Sequence, residues 1–183
     1  VAQSPYSASK ISADNLAMSY FLSYNLPVKI IRPFNCFGPR QSARAIIPTI
    51  ISQLISKGPL KLGNTSIIRD FTYVTDLANA YYVILNSKKF VGEITNVGTG
   101  HGYTIKQIIE KISLKLDIKK KLHIDKKRVR PKKSEVTKLI CDNKKLIKNS
   151  NWKIKTSFDL GLSQTINFIK KNKNYLKSDI YNV

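Results

Sequence analysis

The feature that most constrains the fold is a helical segment that runs directly into a β-branched strand. Residues 5–24 have helical periodicity, and residues 25–27 end the helix with a proline. The apolar stripe of this helix consists of Ile11, Leu16, Tyr20 and Phe21. Residues 28–31 predict a strand that Pro33 ends, because proline cannot donate to a strand ladder. A helix, strand and loop in this order favour an α/β protein, in which ligands bind at the carboxyl ends of parallel strands.

The same alternation continues along the chain. Further helices are predicted at residues 43–57, 104–116, 142–148 and 157–171. Another helix, the third along the chain, should open at residues 72–76 and end at about residue 87. The third helix should bury Leu77, Ala80, Tyr81, Ile84 and Leu85. Strands are predicted at 93–97 and 122–124, and segments 60–65 and 67–71 should pair about a turn. Residues 35–40 are expected to form a loop, and residues 172–183 to be a frayed end.

Gly98-Thr99-Gly100 lies between a predicted strand and a predicted helix, which is how a dinucleotide-binding fingerprint begins. The third glycine position of that fingerprint holds Tyr103. We therefore interpret the segment as a glycine-rich connection with a helix cap at Tyr103-Thr104.

Tyr6 and Lys10 are four residues apart, so on a helix they lie on one face, one turn apart. A lysine beside a tyrosine favours the charged phenolate, and such a tyrosine can act as a general base. The spacing is also common by chance on an exposed helix. Ser4-Pro5 supports a helix start here, with the serine as cap and the proline in the first turn.

Composition excludes several classes of protein. Hydrophobic residues make up 42% of the 183 residues, but no apolar run reaches the roughly 20 residues of a membrane span. Cys36 and Cys141 have neither metal-ligand spacing nor a disulfide framework, and His101 and His123 lack partners nearby in sequence. We expect no metal site, no membrane contact and a reducing, cytoplasmic setting.

The net charge of +21 is unevenly distributed, because residues 101–183 carry 22 basic and 7 acidic residues. A basic half of this kind raises binding to nucleic acid or another polyanion as a hypothesis. The alternative is a compositional bias toward lysine, with Lys106, Lys111 and Lys115 on the polar face of a helix. The bias is favoured, because no nucleic-acid motif and no interleaving of aromatic and basic residues is present.

Several motifs occur in a characteristic order. They are Tyr6-x-x-x-Lys10, Arg32-Pro33-Phe34-Asn35-x-x-Gly38-Pro39, Arg69-Asp70-Phe71-x-Tyr73-Val74-x-Asp76, Asn96-Val97-Gly98, Arg130-Pro131 with Ser134-Glu135-Val136, and Asn151-Trp152. Over nearly its whole length the chain thus resembles the extended short-chain dehydrogenases/reductases of the nucleotide-sugar epimerase/dehydratase family. The segment 38–44 with 47–50 looks most like the 4,6-dehydratases of nucleotide-linked N-acetylglucosamine, which feed legionaminic-acid and related surface-sugar pathways.

The resemblance implies NAD as cofactor, a nucleotide-diphosphate sugar as substrate and a homodimeric enzyme. Tyr6 would take the proton from the sugar O4 as hydride leaves C4, and Lys10 would hold the nicotinamide ribose. Pro33 would line the nicotinamide pocket. The substrate would be held by Asn35, Arg69 and Arg130 at the diphosphate and by Arg44 at the nucleotide. Bidentate arginine–phosphate hydrogen bonds suit this role.

Alternatives remain for three residues of the quoted motifs. Arg69 could instead be a strand arginine paired with Asp70. Arg130 and Arg128 are equally good candidates for the same role. Asp76 fits the start of a helix better than a ligand site.

The implied fold is α/β, the C-terminal part of a Rossmann-type doubly wound parallel sheet with an interleaved smaller α/β substrate domain. Residues 1–38 and about 73–116 would belong to the Rossmann domain, and about 39–72 and 117–183 to the substrate domain. The family's glycine-rich fingerprint, its first strands and the acidic pair of its dehydratases precede the Tyr-x-x-x-Lys motif. We therefore expect a fragment that is inactive alone and needs an N-terminal half, in cis or in trans.

Three hypotheses follow from the sequence. The chain is part of a nucleotide-sugar 4,6-dehydratase or epimerase, a stand-alone nucleotide-sugar binding module, or a binder of anionic polymers. Because the family's acidic pair precedes the motifs seen here, dehydratase and epimerase stay open, as do the nucleotide and the sugar.

Overall fold

The structure, a computed structural model, describes residues 2–129, 131 and 134–172. Its helices are α1 (Pro5–Tyr24), α2 (Ile46–Ile55), α3 (Val74–Leu85), α4 (Ile105–Leu116), α5 (Lys144–Asn149) and α6 (Phe158–Lys171). Its strands are β1 (Lys29–Pro33), β2 (Asn35–Phe37), β3 (Leu60–Leu62), β4 (Ile68–Tyr73), β5 (Glu93–Val97), β6 (Gly102–Thr104), β7 (Leu122–Ile124) and β8 (Lys138–Leu139). Short 3₁₀ turns lie at Lys88–Phe90 and Lys126–Arg128.

The predicted start of α1 is confirmed in detail. The Ser4 hydroxyl accepts from the Ser7 backbone N–H at 3.1 Å, and the Ser7 hydroxyl accepts from the Ser4 N–H at 2.9 Å. This reciprocal capping box satisfies two donors that a helix end leaves unpaired. The helix ends at Asn25, which adopts a left-handed conformation with φ 52°.

The strands pair mostly in parallel. β1 pairs with β5, β2 with β4, β3 with β7 and β4 with β8, all in parallel, whereas β4 and β6 are antiparallel. Each pair of parallel strands has at least one helix between its members along the chain, which confirms the predicted α/β architecture.

Two groups of buried side chains form the core. The larger lies among α2, α4, α6 and the β2–β4 pair, and includes Ile50, Ile108 and Leu162. The smaller lies beside α3 and β5 and is closed by Leu146 and Trp152. The indole N–H of Trp152 donates to the Asp76 carbonyl, while the Asp76 carboxylate accepts from two backbone N–H groups at residues 155 and 156. Asp76 is therefore a buried residue in the first turn of α3. This position agrees with the interpretation of Asp76 as a helix-start residue.

Two predictions about strands were wrong. Residues 35–37 form β2 rather than loop, because they pair with Phe71–Tyr73 of β4. The segments around β3 and β4 do not pair with each other. Leu60 and Leu62 are both buried in the larger core, which places β3 beside β7 instead.

Two predictions about burial were also wrong. Ile11, Leu16 and Tyr20 of α1 are exposed, and no described residue of the helix is fully buried. α3 buries Leu77, Ala80 and Ile84 as predicted, but Tyr81 and Leu85 lie on its exposed side. The predicted frayed end falls almost wholly at residues 173–183, outside the described residues. Within the described part of the chain, no helix is long and apolar enough to act as a bilayer-spanning segment.

Candidate active site

A cavity of about 710 Å³ lies between the start of α1, the β2–β4 pair, α2, β3, Arg128 and residues 134–139. Four of the residues that the sequence singled out line it together. They are Tyr6, Asn35, Arg44 and Arg69. They come from α1, β2, the segment before α2, and β4, so segments that are distant in sequence meet here.

Tyr6 projects from the first turn of α1 and is 71% exposed. The Lys10 ammonium lies 5.5 Å from the centroid of the Tyr6 ring, so the two side chains lie on one helix face, as their spacing predicted. Lys10 and Pro33 are both exposed, and neither lines the cavity. Pro33 is the last residue of β1, in register with Val97.

Arg69 and Asn35 are held by backbone carbonyl groups. The Arg69 Nη1 donates to the Ile68 carbonyl at 2.9 Å, and the Asn35 Nδ2 donates to the Asp70 carbonyl at 2.9 Å. Successive side chains of a strand point to opposite faces. Arg69 accordingly lines the cavity, whereas Asp70 is fully buried on the other side of β4.

Arg128 also lines the cavity, and it was the alternative to Arg130, which lies outside the described residues. Its Nε donates to the Asp125 carboxylate at 3.2 Å. A side chain at Gly63 would place its Cβ 2.4 Å from the Arg128 carbonyl oxygen. Glycine at this position therefore lets the end of β3 approach the basic turn closely.

The sequence reasoning missed a set of polar lining residues on α2 and nearby. They are Thr49, Ser52, Gln53 and Asn64. Three of them were detectable in the sequence, because the hydroxyl and amide side chains of Thr49, Ser52 and Gln53 interrupt the isoleucines of α2. Glu135 is an acidic lining residue and was quoted only as part of a motif, although it faces the same space as three arginines.

The glycine-rich turn after β5 is already occupied by a protein carboxylate. Asp70 accepts hydrogen bonds from the backbone N–H groups of Thr99 and Gly100 at 3.0 and 2.8 Å. Those donors cannot cradle a phosphate, which supports the interpretation of the turn as a connection. The cap of the following helix lies at Thr104, whose hydroxyl accepts from the Gln107 N–H at 3.1 Å.

The lysines of α4 contribute little to the cavity. Lys111 bonds to the Asp159 carboxylate at 3.0 Å, and Lys115 donates to the Ser163 hydroxyl at 3.0 Å. These contacts tie α4 to α6 on the outer surface. Among the residues that the structure describes, the positive charge at the cavity comes instead from Arg44, Arg69 and Arg128.

The two thiols should differ in reactivity. Burial, followed by the charges of Asp70 and Asp142, raises the pKa of Cys141 to about 12, and burial alone raises the pKa of Cys36. Because the thiolate is the nucleophile, Cys141 should react about 10³-fold more slowly at pH 8 than a free cysteine. Timed alkylation with iodoacetamide and peptide mass spectrometry checks this, with half-buried Cys36 as internal reference. Labelling of Cys141 at the rate of Cys36 in native buffer would contradict it.

Comparisons with known proteins match almost the whole chain. The family model described as GDP-mannose 4,6 dehydratase matches residues 1–165. The chain is 32% identical to a UDP-glucuronate 4-epimerase of Thermodesulfobacterium geofontis over 177 residues, which is 96% of the chain and 53% of that protein.

Two solved structures share the fold. A dTDP-glucose 4,6-dehydratase from Bacillus anthracis, solved in complex with NAD, is 30% identical with a TM-score of 0.82, over 95% of the chain and 54% of that protein. A UDP-glucuronic acid 4-epimerase from Bacillus cereus, solved with UDP-glucuronic acid and NAD, is 25% identical with a TM-score of 0.85, over 93% and 54%. The chain spans about half the length of these proteins.

Proposed function

The chain belongs to the GDP-mannose 4,6-dehydratase family of extended short-chain dehydrogenases/reductases, and from this premise we propose that it forms the substrate-binding part of an NAD-dependent nucleotide-sugar 4,6-dehydratase or 4-epimerase. One observation carries the proposal: Tyr6 and the arginines at 44, 69 and 128 line a single cavity. A nucleotide-diphosphate sugar combines a reacting sugar with a dianionic diphosphate. The cavity offers a phenol for the first and guanidinium groups for the second.

The proposed roles follow from these positions. Arg69, with Asn35 beside it, binds the diphosphate, and Arg44 contacts the nucleotide. Arg130 remains proposed for the diphosphate from its motif alone. Tyr6 accepts the proton of the sugar O4, so that a 4-keto sugar forms.

The nicotinamide end of NAD fits the exposed pair at the start of α1. Tyr6 and Lys10 are both open to a ligand there, and an ammonium can donate hydrogen bonds to ribose hydroxyls. Pro33, at the carboxyl end of β1, would border the same pocket. Bound NAD would supply the hydride acceptor. Its pyrophosphate must be held elsewhere, because the Gly98–Gly100 turn is bonded to Asp70.

We propose that an N-terminal half, in cis or in trans, supplies that cradle. Among the described residues β1 pairs only with β5, so its other edge is open, and α1 exposes several large apolar side chains. An unpaired edge of this kind readily accepts another strand. In the split-enzyme version of this proposal, a neighbouring gene encodes the N-terminal half. A chromosome with no adjacent upstream coding sequence for such a half would contradict that version.

The proposed domain division follows the same scheme. Residues 1–38 and about 73–116 belong to the NAD-binding domain, and about 39–72 and 117–183 to the substrate domain. The completed enzyme, meaning the chain together with an N-terminal half, is proposed to be a cytoplasmic homodimer. Nucleotide-linked N-acetylglucosamine is the proposed substrate, and cell-surface polysaccharide synthesis the proposed setting.

A second candidate is a nucleotide-sugar binding module without catalysis. The observation in its favour is that this chain by itself brings three arginines to one cavity, and guanidinium groups of this kind bind a diphosphate. Turnover by the completed enzyme separates the two candidates.

Replacing Arg69 with lysine should weaken binding of UDP-N-acetylglucosamine to the 183-residue chain by about 10- to 100-fold. Lysine keeps the charge but loses the planar fork, and hydrogen bonds to charged groups contribute about 1.5–3 kcal/mol. Isothermal titration calorimetry measures the change, with GDP-mannose and dTDP-glucose as comparison ligands.

The matched control is Arg32→Lys. Arg32 forms an ion pair with Asp14 at the surface and does not line the cavity, so its substitution should leave the Kd unchanged. No heat with any of the three nucleotide sugars at millimolar concentration would contradict nucleotide-sugar binding by this chain. Steeply salt-dependent retention on nucleic acid in that case would favour the anionic-polymer hypothesis.

A further inference from the structure

Asp70 is a buried carboxylate that the proposed reaction does not use. It is fully buried and accepts four hydrogen bonds. Its Oδ1 accepts from the Thr99 N–H at 3.0 Å and the Thr99 hydroxyl at 2.6 Å. Its Oδ2 accepts from the N–H groups of Gly100 at 2.8 Å and Cys141 at 3.2 Å. Three of its four donors are backbone N–H groups, so this buried carboxylate has its hydrogen bonds satisfied by the backbone of other segments.

Three chain segments meet at this carboxylate only because residue 98 is glycine. A Cβ at Gly98 would lie 2.4 Å from the Cys141 Cβ and 2.9 Å from the Asp70 Oδ2. The Asn143 Nδ2 also donates to the Gly98 carbonyl at 2.8 Å. β4, the turn after β5 and the segment around Cys141 are thus joined at one point.

The segment that ends at Cys141 forms one wall of the cavity. Ser134, Glu135, Val136 and Leu139 line the cavity from this side. The wall is attached to β4 by the two-residue pairing of β8 and by the Ile68 N–H bond to the Thr137 carbonyl. The Asp70–Cys141 bond secures it two residues beyond that pairing. On the same strand, the Asp70 carbonyl accepts from Asn35, and Arg69 lies next in sequence.

We propose that Asp70 is a positioning residue for the nucleotide-sugar site. Its carboxylate holds the wall of residues 134–141 against β4, which fixes the distance between Glu135 on the wall and Arg69 on the strand. Asp70 itself does not touch the ligand. The inference rests on the proposed function for its binding consequence, but the attachment of the wall can be tested without a ligand.

Asp76 supplies a matched control for the test. It is also a buried aspartate, and its carboxylate also accepts backbone N–H bonds, from Lys155 at 3.2 Å and Thr156 at 2.9 Å. It holds a different segment and does not line the cavity. Asp70→Asn and Asp76→Asn both replace one carboxylate oxygen with an amide donor that faces N–H groups. A general loss of stability should therefore affect both variants in the same way.

The first readout is amide hydrogen exchange in the 183-residue chain. Asp70→Asn is expected to speed exchange at Thr99, Gly100 and Cys141 by at least about tenfold. It should also speed exchange at Ile68 and Leu139, where β4 and β8 pair. Asp76→Asn should speed exchange at Lys155 and Thr156 and leave the wall unchanged. Unchanged exchange at Ile68 and Leu139 in Asp70→Asn would overturn the proposal.

The second readout is the Kd for UDP-N-acetylglucosamine. Asp70→Asn should weaken binding about tenfold, while Asp76→Asn should stay within twofold of the unsubstituted chain. Equal weakening in both variants, at equal losses of unfolding free energy, would show a structural role only and overturn the proposal. If the unsubstituted chain does not bind, the proposed function fails, and exchange at the wall still decides the role of Asp70.

A milder variant keeps the test usable if Asp70→Asn does not fold. Thr99→Val removes the 2.6 Å hydroxyl bond to Asp70, together with the contacts of that hydroxyl to the His101 backbone, and keeps the Asp70 carboxylate and the shape of the side chain. It should produce a smaller rise in wall exchange, which Thr99→Ser should restore toward the original rate. Equal wall exchange in Thr99→Val and the unsubstituted chain would overturn the proposal.

Discussion

Replacing Tyr6 with phenylalanine is expected to lower the kcat of the completed enzyme by about 10²- to 10⁴-fold, the usual contribution of a positioned acid–base group. The substitution removes one oxygen and keeps the ring over which the Lys10 ammonium lies. Because Tyr6 is 71% exposed, the variant should fold with nearly unchanged stability. The loss should therefore appear in kcat, with KM for the nucleotide sugar changed little. Chromatographic measurement of 4-keto sugar formation gives both constants.

Tyr24 provides a control on the same helix. It is 70% exposed at the other end of α1, far along the helix from the cavity. Tyr24→Phe should keep kcat within twofold, so that loss of a surface phenol alone is accounted for. A Tyr6→Phe enzyme with kcat within fivefold of the original would show that Tyr6 is not the base. If the completed enzyme shows no turnover, catalysis is contradicted. The second candidate, a nucleotide-sugar binding module, is then the function that remains.

Lengths and caps of single elements could be predicted from the sequence because their causes are local. The bounds of α1 and β5 are confirmed to the residue. Ser4 and Pro5 act within the first turn of α1, and the β-branched residues of β5 lie between Gly92 and Gly98. Such signals depend on neighbours within about four positions, which a single sequence displays directly.

Pairing and burial depend on distant parts of the chain and were predicted less well. The apolar positions of α1 were identified, but periodicity cannot show that Leu16 and Tyr20 have no covering segment among the described residues. β3 and β4 are consecutive strands joined by a turn, which in the sequence looks like a hairpin. Their partners are decided by the core that buries Leu60 and Leu62, and this core includes residues up to 169.

The candidate site shows the same division. The resemblance picked out Tyr6, Asn35, Arg44 and Arg69, and the structure brings all four to one cavity, while their roles stay predictions. From the sequence, Asp70 was a member of the Arg69-Asp70-Phe71 motif and a possible partner of Arg69. Its actual partners are 29 to 71 positions away in sequence, so no local pattern could reveal that it joins the cavity wall to β4.

Replacing Phe37 with alanine is expected to cost about 3–5 kcal/mol of unfolding free energy, the usual range for a buried phenylalanine. Phe37 is almost completely buried at the end of β2. Its ring centroid lies 5.5 Å from that of Tyr73 and 5.1 Å from that of Phe158, so it links the β2–β4 pair to α6. A Cβ at Gly161 would lie 2.8 Å from the Phe37 ring, which shows how closely α6 approaches.

The loss should be visible as a fall in Tm of about 6–20 °C, since 1 kcal/mol corresponds to about 2–4 °C in a chain of this size. Urea unfolding followed by circular dichroism gives the free energy directly. Tyr82→Ala is the matched control, because Tyr82 is an aromatic residue that is 68% exposed on α3, and it should change stability by no more than about 0.5 kcal/mol.

Phe37→Leu keeps the measurement possible if the alanine variant does not fold, and it should lose clearly less stability because most of the volume is retained. A loss below 1 kcal/mol in Phe37→Ala would mean that the aromatic cluster does not hold α6 on the sheet. The position matters for the site as well, because β2 begins at Asn35, which lines the cavity two residues before Phe37. Ligand binding in a folded Phe37→Leu chain should therefore weaken together with the packing of α6, whereas Tyr82→Ala should leave it unchanged.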